Sequence, residues 1–304
     1  MQSKLQIQDG KLIPSTDETA PVWIITNPDD AERRMLIERF KIDEHTLSSA
    51  LDPDEISRLE FEPDHVAIIF KRPKNYSAAD NFLFKVCSSG LFLFKDRLII
   101  VVSEDLPLFE GKQFSKVASP ADVTVKLIYR TIFHFLEHLR VINMVSDSVE
   151  KKVNSSMENR QLLNMFTLGK GLVYYLNAIH SNSVVIDRLR NSAGKVGLTQ
   201  DQLEALDDAA IENQQCYKQA EIYSNILAGL MDARVSIVNN NLSVLMKTLT
   251  MITLGIMLPT FVVSAFSMNV TIPLQHHPEA FWIIMTLALG AVVSFLVFWR
   301  YKHW

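Results

Sequence analysis

NNNLSVLMKTLTMITLGIMLPTFVVSAFSMN, residues 239–269, decides the fold. Its first third is amide-rich and carries one charge, Lys247, and from there to Glu279 no residue bears a formal charge. Within it TLTMITLGIMLPTFVVSAF (248–266) is long enough to cross a hydrocarbon layer, which needs about 20 predominantly apolar residues. A second run, AFWIIMTLALGAVVSFLVFW (280–299), follows a short connection and meets Arg300 and Lys302. Two buried core helices are the soluble alternative. Core helices of that length without a charge are uncommon, and two in tandem form a hairpin pattern.

The connection SMNVTIPLQHHPE (267–279) has no Lys or Arg, whereas Lys247, Arg300 and Lys302 flank the spans on the other side. The positive-inside rule then expects both termini in the cytoplasm. Trp282, Trp299 and Trp304 suit the two membrane interfaces. MQSKLQIQDGKLIPSTDE has no apolar core that could act as a secretory signal. The two cysteines, Cys87 and Cys216, lie far apart without metal-type spacing, which fits a reducing compartment. A net charge of −4 gives no basic footprint for nucleic acid.

Alternating steps of three and four place Ser243, Met246, Thr250, Thr253, Met257, Thr260, Ser264 and Ser267 on one line. Steps averaging about 3.5 trace one helix face with a slight left-handed supercoil. Asn225, Gly229, Asp232, Ser236 and Asn239 extend the line backward. Hydroxyls and amides gain nothing from lipid, so this face meets protein or water. Tight helix packing through small residues is one reading. The length of the line, its carboxylate and its two bulky methionines favour a conduit with constrictions. One helix encloses nothing, so a conduit requires several copies, a homo-oligomer.

Upstream, residues 1–120 read as a cytoplasmic α/β domain. Strands are expected at 4–8, 22–26, 65–72, 81–88, 90–94 and 97–104, with a hairpin about Lys95-Asp96. Helices are expected at 29–40 and 43–52. From Pro120 the spacing turns helical, with a second helical stretch over 157–190 and a turn at GKVGLT (194–199). A third helix starts near Thr199, an N-cap, and only Gly229 and Pro259 interrupt it before Phe266. From residue 205 it would span about 90 Å, too long for one compact domain. The expected divisions are an α/β domain (1–120), a helical arm and stalk (121–246) and a transmembrane hairpin (247–304). His134 and His138, four apart on one helix, lack a zinc-hydrolase context and read as surface or packing residues. LGKGL (168–172) is too short for a phosphate loop. No constellation of nucleophile and base supports an enzyme.

With these parts placed, the chain resembles the CorA family of divalent-cation channels, defined by Gly-Met-Asn at the end of the first of two C-terminal spans. The resemblance rests on Met-Lys-x-Leu-Thr at 246–250, the mid-span Pro259-Thr260-Phe261 and Ser267-Met268-Asn269. It implies a funnel-shaped homo-oligomer, a pentamer, in the inner or plasma membrane, carrying Mg2+ under the control of cytoplasmic divalent cations. It further implies an outer mouth at Ser267, Met268 and Asn269, with Glu279 in the adjoining loop. The pore lining expected is Asp232, Asn239, Ser243, Met246, Leu249, Thr250, Thr253, Met257, Thr260 and Ser264, of which the resemblance carries Asp232, Met246, Leu249, Met257 and Thr260 and the polar line supplies the others. Of these, Met246, Leu249 and Met257 match apolar constrictions. Asp208 matches an inter-subunit regulatory metal ligand, with Asp80 as its cross-subunit partner. Ser267 stands where the family has glycine, and serine reaches positive φ only at a cost. Ser243 stands where a pore asparagine is common. His276-His277 suit Zn2+, Co2+ or Ni2+ better than Mg2+. A proton-coupled transporter of those metals and a non-conducting membrane-anchored scaffold or sensor therefore stand as alternatives.

Overall fold

β-Branched and aromatic runs bounded by turn residues build a seven-stranded sheet from β1 (Gln2–Gln8), β2 (Lys11–Ser15), β3 (Val22–Thr26), β4 (Arg58–Phe61), β5 (His65–Pro73), β6 (Val86–Phe94) and β7 (Leu98–Val102). The computed structural model describes residues 2–76, 82–105, 107–109, 111–155, 159–274 and 276–301. The strand order is β2-β1-β3-β7-β6-β5-β4, antiparallel except for the β3–β7 pair. The expected hairpin is present: Leu93 faces Leu98, and the Phe94 N–H donates to the Arg97 carbonyl at 2.8 Å.

Two strands expected at 81–88 and 90–94 are one, beginning only at Val86. Phe82 takes a left-handed φ of 66° and Phe84 is buried, so the described chain before Val86 turns rather than extends. β2 and β4 were not expected. β2 carries Pro14, tolerated because the strand is at the sheet edge, and β4 spans only four residues.

Helices follow in order: α1 (Asp30–Glu38), α2 (Glu44–Ser49), α3 (Pro120–Ser155), α4 (Asn159–Asn191), α5 (Ala193–Val196), α6 (Gln200–Ala265) and α7 (Ala280–Tyr301). Asp29 and Glu32 form a reciprocal capping box at α1, and Asp43 caps α2. The expected turn at 194–199 contains the short α5 and closes at Gly197, whose φ is 77°.

Period-two alternation gives the sheet two apolar faces. Val22, Ile68, Phe70, Leu91, Ile100 and Val102 pack with Phe135, Leu139, Tyr175, Ile179, Leu206 and Cys216 of α3, α4 and α6. On the other face Trp23, Ile25, Ile69, Phe92 and Val101 pack with Leu36, Phe40, Ile42 and Leu47. Asn182 of α4 fastens the first layer. Its amide accepts from the Lys71 N–H at 2.9 Å and donates to the Lys71 carbonyl at 2.8 Å, standing in for a strand beyond the end of β4. Gly171 lets the chain pass closely: a Cβ there would lie 3.1 Å from the backbone N and O of Phe84.

α6 opens as its sequence expects. The Gln202 N–H donates to Thr199 Oγ1 at 3.4 Å, and the Thr199 N–H donates to Gln202 Oε1 at 3.0 Å. It then continues through Gly229 and Pro259 to Ala265. The chain forms two compact units, Met1–Met231 and Asp232–Trp304.

Candidate functional site

Past residue 231, Ala288 is the one fully buried position among the described residues. Large apolar side chains lie open along both helices, among them Phe261 at 74% and Trp282 at 71% exposure. Among the described residues two helices, α6 and α7, are long and apolar enough to cross a membrane. A surface of this kind is incompatible with water and suited to lipid or further protein.

The polar line on α6 has a defined hydrogen-bond polarity. The hydroxyls of Ser236, Ser243, Thr250, Thr253 and Thr260 donate to carbonyls four residues earlier, at 3.1, 2.9, 2.9, 2.9 and 2.7 Å. A hydroxyl has one proton and two lone pairs. With the proton committed to the helix, each oxygen presents only acceptor capacity outward. Met246, Leu249 and Met257, between and beside these oxygens, are each more than half exposed. Asp232, Asn239 and Ser264 are exposed as well. Pro259 has no N–H, so the Gly255 carbonyl loses its helical partner.

At the end of α6 the Phe266 N–H reaches the Val262 carbonyl at 3.4 Å and the Ser267 N–H the Ser264 carbonyl at 3.1 Å, tightening the last turn. Ser267, Met268 and Asn269 are exposed. Ser267 is absent from the residues with positive φ, so serine in place of glycine carries no left-handed strain here. The left-handed residue of the connection is Leu274, with φ 74°. Beyond it the Glu279 N–H donates to Nδ1 of His277 at 3.3 Å. His276 and His277 are both exposed. No group of three metal-ligating side chains occurs among the described residues.

In the first unit, the buried positions of α6 run from Gln202 through Leu206, Ala209, Asn213 and Cys216 to Ala220 in steps of four and three, with Leu227 two turns further on. Asp208 lies off that seam, exposed, while its neighbour Asp207 is held by Arg190 Nε at 2.5 Å. Asp208 and Glu212, one turn apart, both act on the Tyr129 phenol, whose pKa is raised first by burial and then by these carboxylates. Glu212 was missed at the sequence level, although the i, i+4 spacing in LDDAAIE could have shown it. Asp80 lies outside the described residues. His134 and His138 are packing residues as expected. His138 Nδ1 meets the Tyr175 hydroxyl at 2.6 Å, and burial foremost pushes their pKa values down to about 3 and about 4.

An α/β unit together with two C-terminal helices long and apolar enough to cross a bilayer defines a class: a membrane protein that also carries a folded α/β unit. The family model for the CorA-like Mg2+ transporter protein matches residues 19–302, and the chain belongs to that family, whose members are ion transporters rather than enzymes. The cobalt/magnesium transport protein CorA of Methanocaldococcus jannaschii is 24% identical over 98% of this chain and 97% of its own. The complete structure of that organism's CorA superposes with a TM-score of 0.82 at 19% identity, covering 98% of this chain and 96% of the other. The full-length CmaX protein gives a TM-score of 0.76 at 16% identity, over 100% and 97%.

Proposed function

We propose that several copies of this chain surround a pore lined by α6 and conduct a divalent cation, Mg2+ foremost, down its electrochemical gradient. The observation that carries this reading is the row of acceptor-presenting hydroxyls on α6, Ser236, Ser243, Thr250, Thr253 and Thr260. Mg2+ gives up its water reluctantly, so a wall of neutral oxygens that accept from hydration water selects it through its shell. Such oxygens bind weakly enough to release the ion. An inward-negative potential adds about 2.3 kcal/mol per charge per 100 mV.

The copies are called for by the exposed apolar residues that precede the span. Val235, Val238, Leu242 and Leu245 lie before Lys247, outside the hydrocarbon layer, yet are open to solvent in one chain. Packing against equivalent helices covers them, and a pentamer is the assembly implied by the resemblance. Ser267-Met268-Asn269 is read as the outer mouth, in which Asn269 meets the hydrated ion. Met246, Leu249 and Met257 form the constriction that closes by dewetting. Asp208, with Glu212 beside it, is the candidate for an intracellular Mg2+ bridge between copies. Both termini then lie in the cytoplasm of a cell-membrane protein. The relative named above as a cobalt/magnesium transporter makes Co2+ the second cargo.

Asn269→Ala is expected to abolish Mg2+ uptake into proteoliposomes, and undiminished flux sinks the assignment of the mouth. Running Mg2+, Co2+, Ni2+ and Zn2+ at two pH values on the same preparation separates the alternatives. A pH-driven Zn2+ or Ni2+ flux favours a coupled transporter, and no flux of any metal favours a scaffold.

A further inference from the structure

Along β5, period two puts Ile68, Phe70 and Arg72 on the sheet face that α3 covers. Ile68 and Phe70 belong to the core. Arg72 continues their row with a guanidinium, and the residue is only 4% exposed. None of its three side-chain nitrogens has a hydrogen-bond partner. A buried charge normally comes with a partner, because its desolvation costs several kcal/mol. The nearby carboxylate, Glu104, is engaged with Lys74 at 3.7 Å instead. Cys87, also nearby, is a neutral thiol, since burial raises its pKa to about 11.

Arg72 borders a cavity of about 230 Å3, also lined by Asn75, Arg130, Thr131 and His134. Arg130 donates through Nη1 to both oxygens of Glu137 at 3.1 Å, leaving its other nitrogens free of that pair. Thr131 donates its proton to the Leu127 carbonyl and contributes no donor. His134 and Asn75 each offer an N–H. The volume is several times the ~30 Å3 share of a water molecule, enough for a tetrahedral oxyanion. Two guanidinium groups at one cavity match the planar fork-to-oxyanion geometry that arginine favours.

The geometry points to an oxyanion-binding site between β5 and α3, in which Arg72 and Arg130 clasp a phosphate group, either inorganic phosphate or the terminal phosphate of a nucleotide. The site lies wholly within Met1–Met231 and stands independently of the pore reading.

The test is calorimetric titration of the full-length protein in detergent, at fixed ionic strength without Mg2+, with phosphate, ATP and chloride in separate arms. Saturable binding of phosphate is expected, weakened at least tenfold in Arg130→Gln and lost in Arg72→Gln. Binding of ATP alone, with the same dependence on both arginines, assigns the site to a nucleotide. Without ligand, Arg72→Gln is expected to be at least as heat-stable as the native chain, because it removes an unpaired buried charge. Should that variant fail to fold, Arg130→Gln decides alone. No saturable binding of either ligand, equal binding of chloride, or binding unchanged in Arg130→Gln overturns the proposal.

Discussion

The two units of this chain solve the burial problem in opposite ways. Met1–Met231 places apolar rows on both faces of a sheet and covers each with helices of its own. Asp232–Trp304 covers almost nothing and buries Ala288 alone among its described residues. The first unit therefore draws its stability from internal packing, whereas the second leaves its apolar side chains for lipid or further protein to cover. Exposed leucines in the second unit are thus a specification of its surroundings rather than a defect.

The sharpest break between them comes from cutting the chain. A fragment ending at Met231 is expected to be soluble and to unfold cooperatively, with lipid making no difference to its thermal midpoint. Aggregation of that fragment in calorimetry would remove the distinction. Next in size is Phe135→Ala. This side chain is fully buried and meets the Tyr175 ring edge-on at 5.1 Å, so truncation should cost about 3–5 kcal/mol in denaturant unfolding of the same fragment. A change below about 1 kcal/mol would mean that the sheet and helices do not share one core.

Acid should separate the units further. His134 and His138 have folded pKa values pushed far below the ordinary 6.5, so below pH 6.5 the unfolded chain takes up protons that the folded chain refuses. The contribution of these histidines to the first unit's stability is full above pH 6.5 and declines as pH falls, the His138 part levelling near pH 4 and the His134 part near pH 3, where each imidazole charges in the folded state. The slope is at most about 1.4 kcal/mol per pH unit for each histidine. His134→Gln should flatten it, and an unchanged slope would place the acid sensitivity elsewhere. The smallest effect is expected at Ser267→Gly. Ser267 does not occupy positive φ, so relief of strain contributes nothing, and both thermal midpoint and Mg2+ flux should stay near the native values. A large gain in flux would show that this turn adopts a left-handed conformation during conduction.

Much of this contrast was legible in the residues. The uncharged stretch after Lys247 and the Thr199 cap fixed where α6 starts and where it becomes apolar, because hydropathy and capping are local signals. β2 and β4 were not legible, since an edge strand with proline and a four-residue strand owe their form to their neighbours. The failed strand at Phe82–Lys85 has the same origin: its turn is dictated by Phe84 tucking against α4 at Gly171. Glu212 and the pairing of Arg190 with Asp207 rather than Asp208 depend on helix faces and a tertiary contact. The roles proposed for Asn269 and Asp208 involve more than one copy, so one chain's sequence suggests them only through family resemblance.

The commitment of the α6 hydroxyl protons to the helix has a consequence for how conduction can be controlled. From Ser243 to Ser264 the polar line holds no ionisable side chain, so its affinity for a cation has no titration of its own. Acidification cannot neutralise such a wall as it neutralises a ring of carboxylates. On the pore reading, this stretch gives flux no pH dependence of its own, and any such dependence enters through groups outside it.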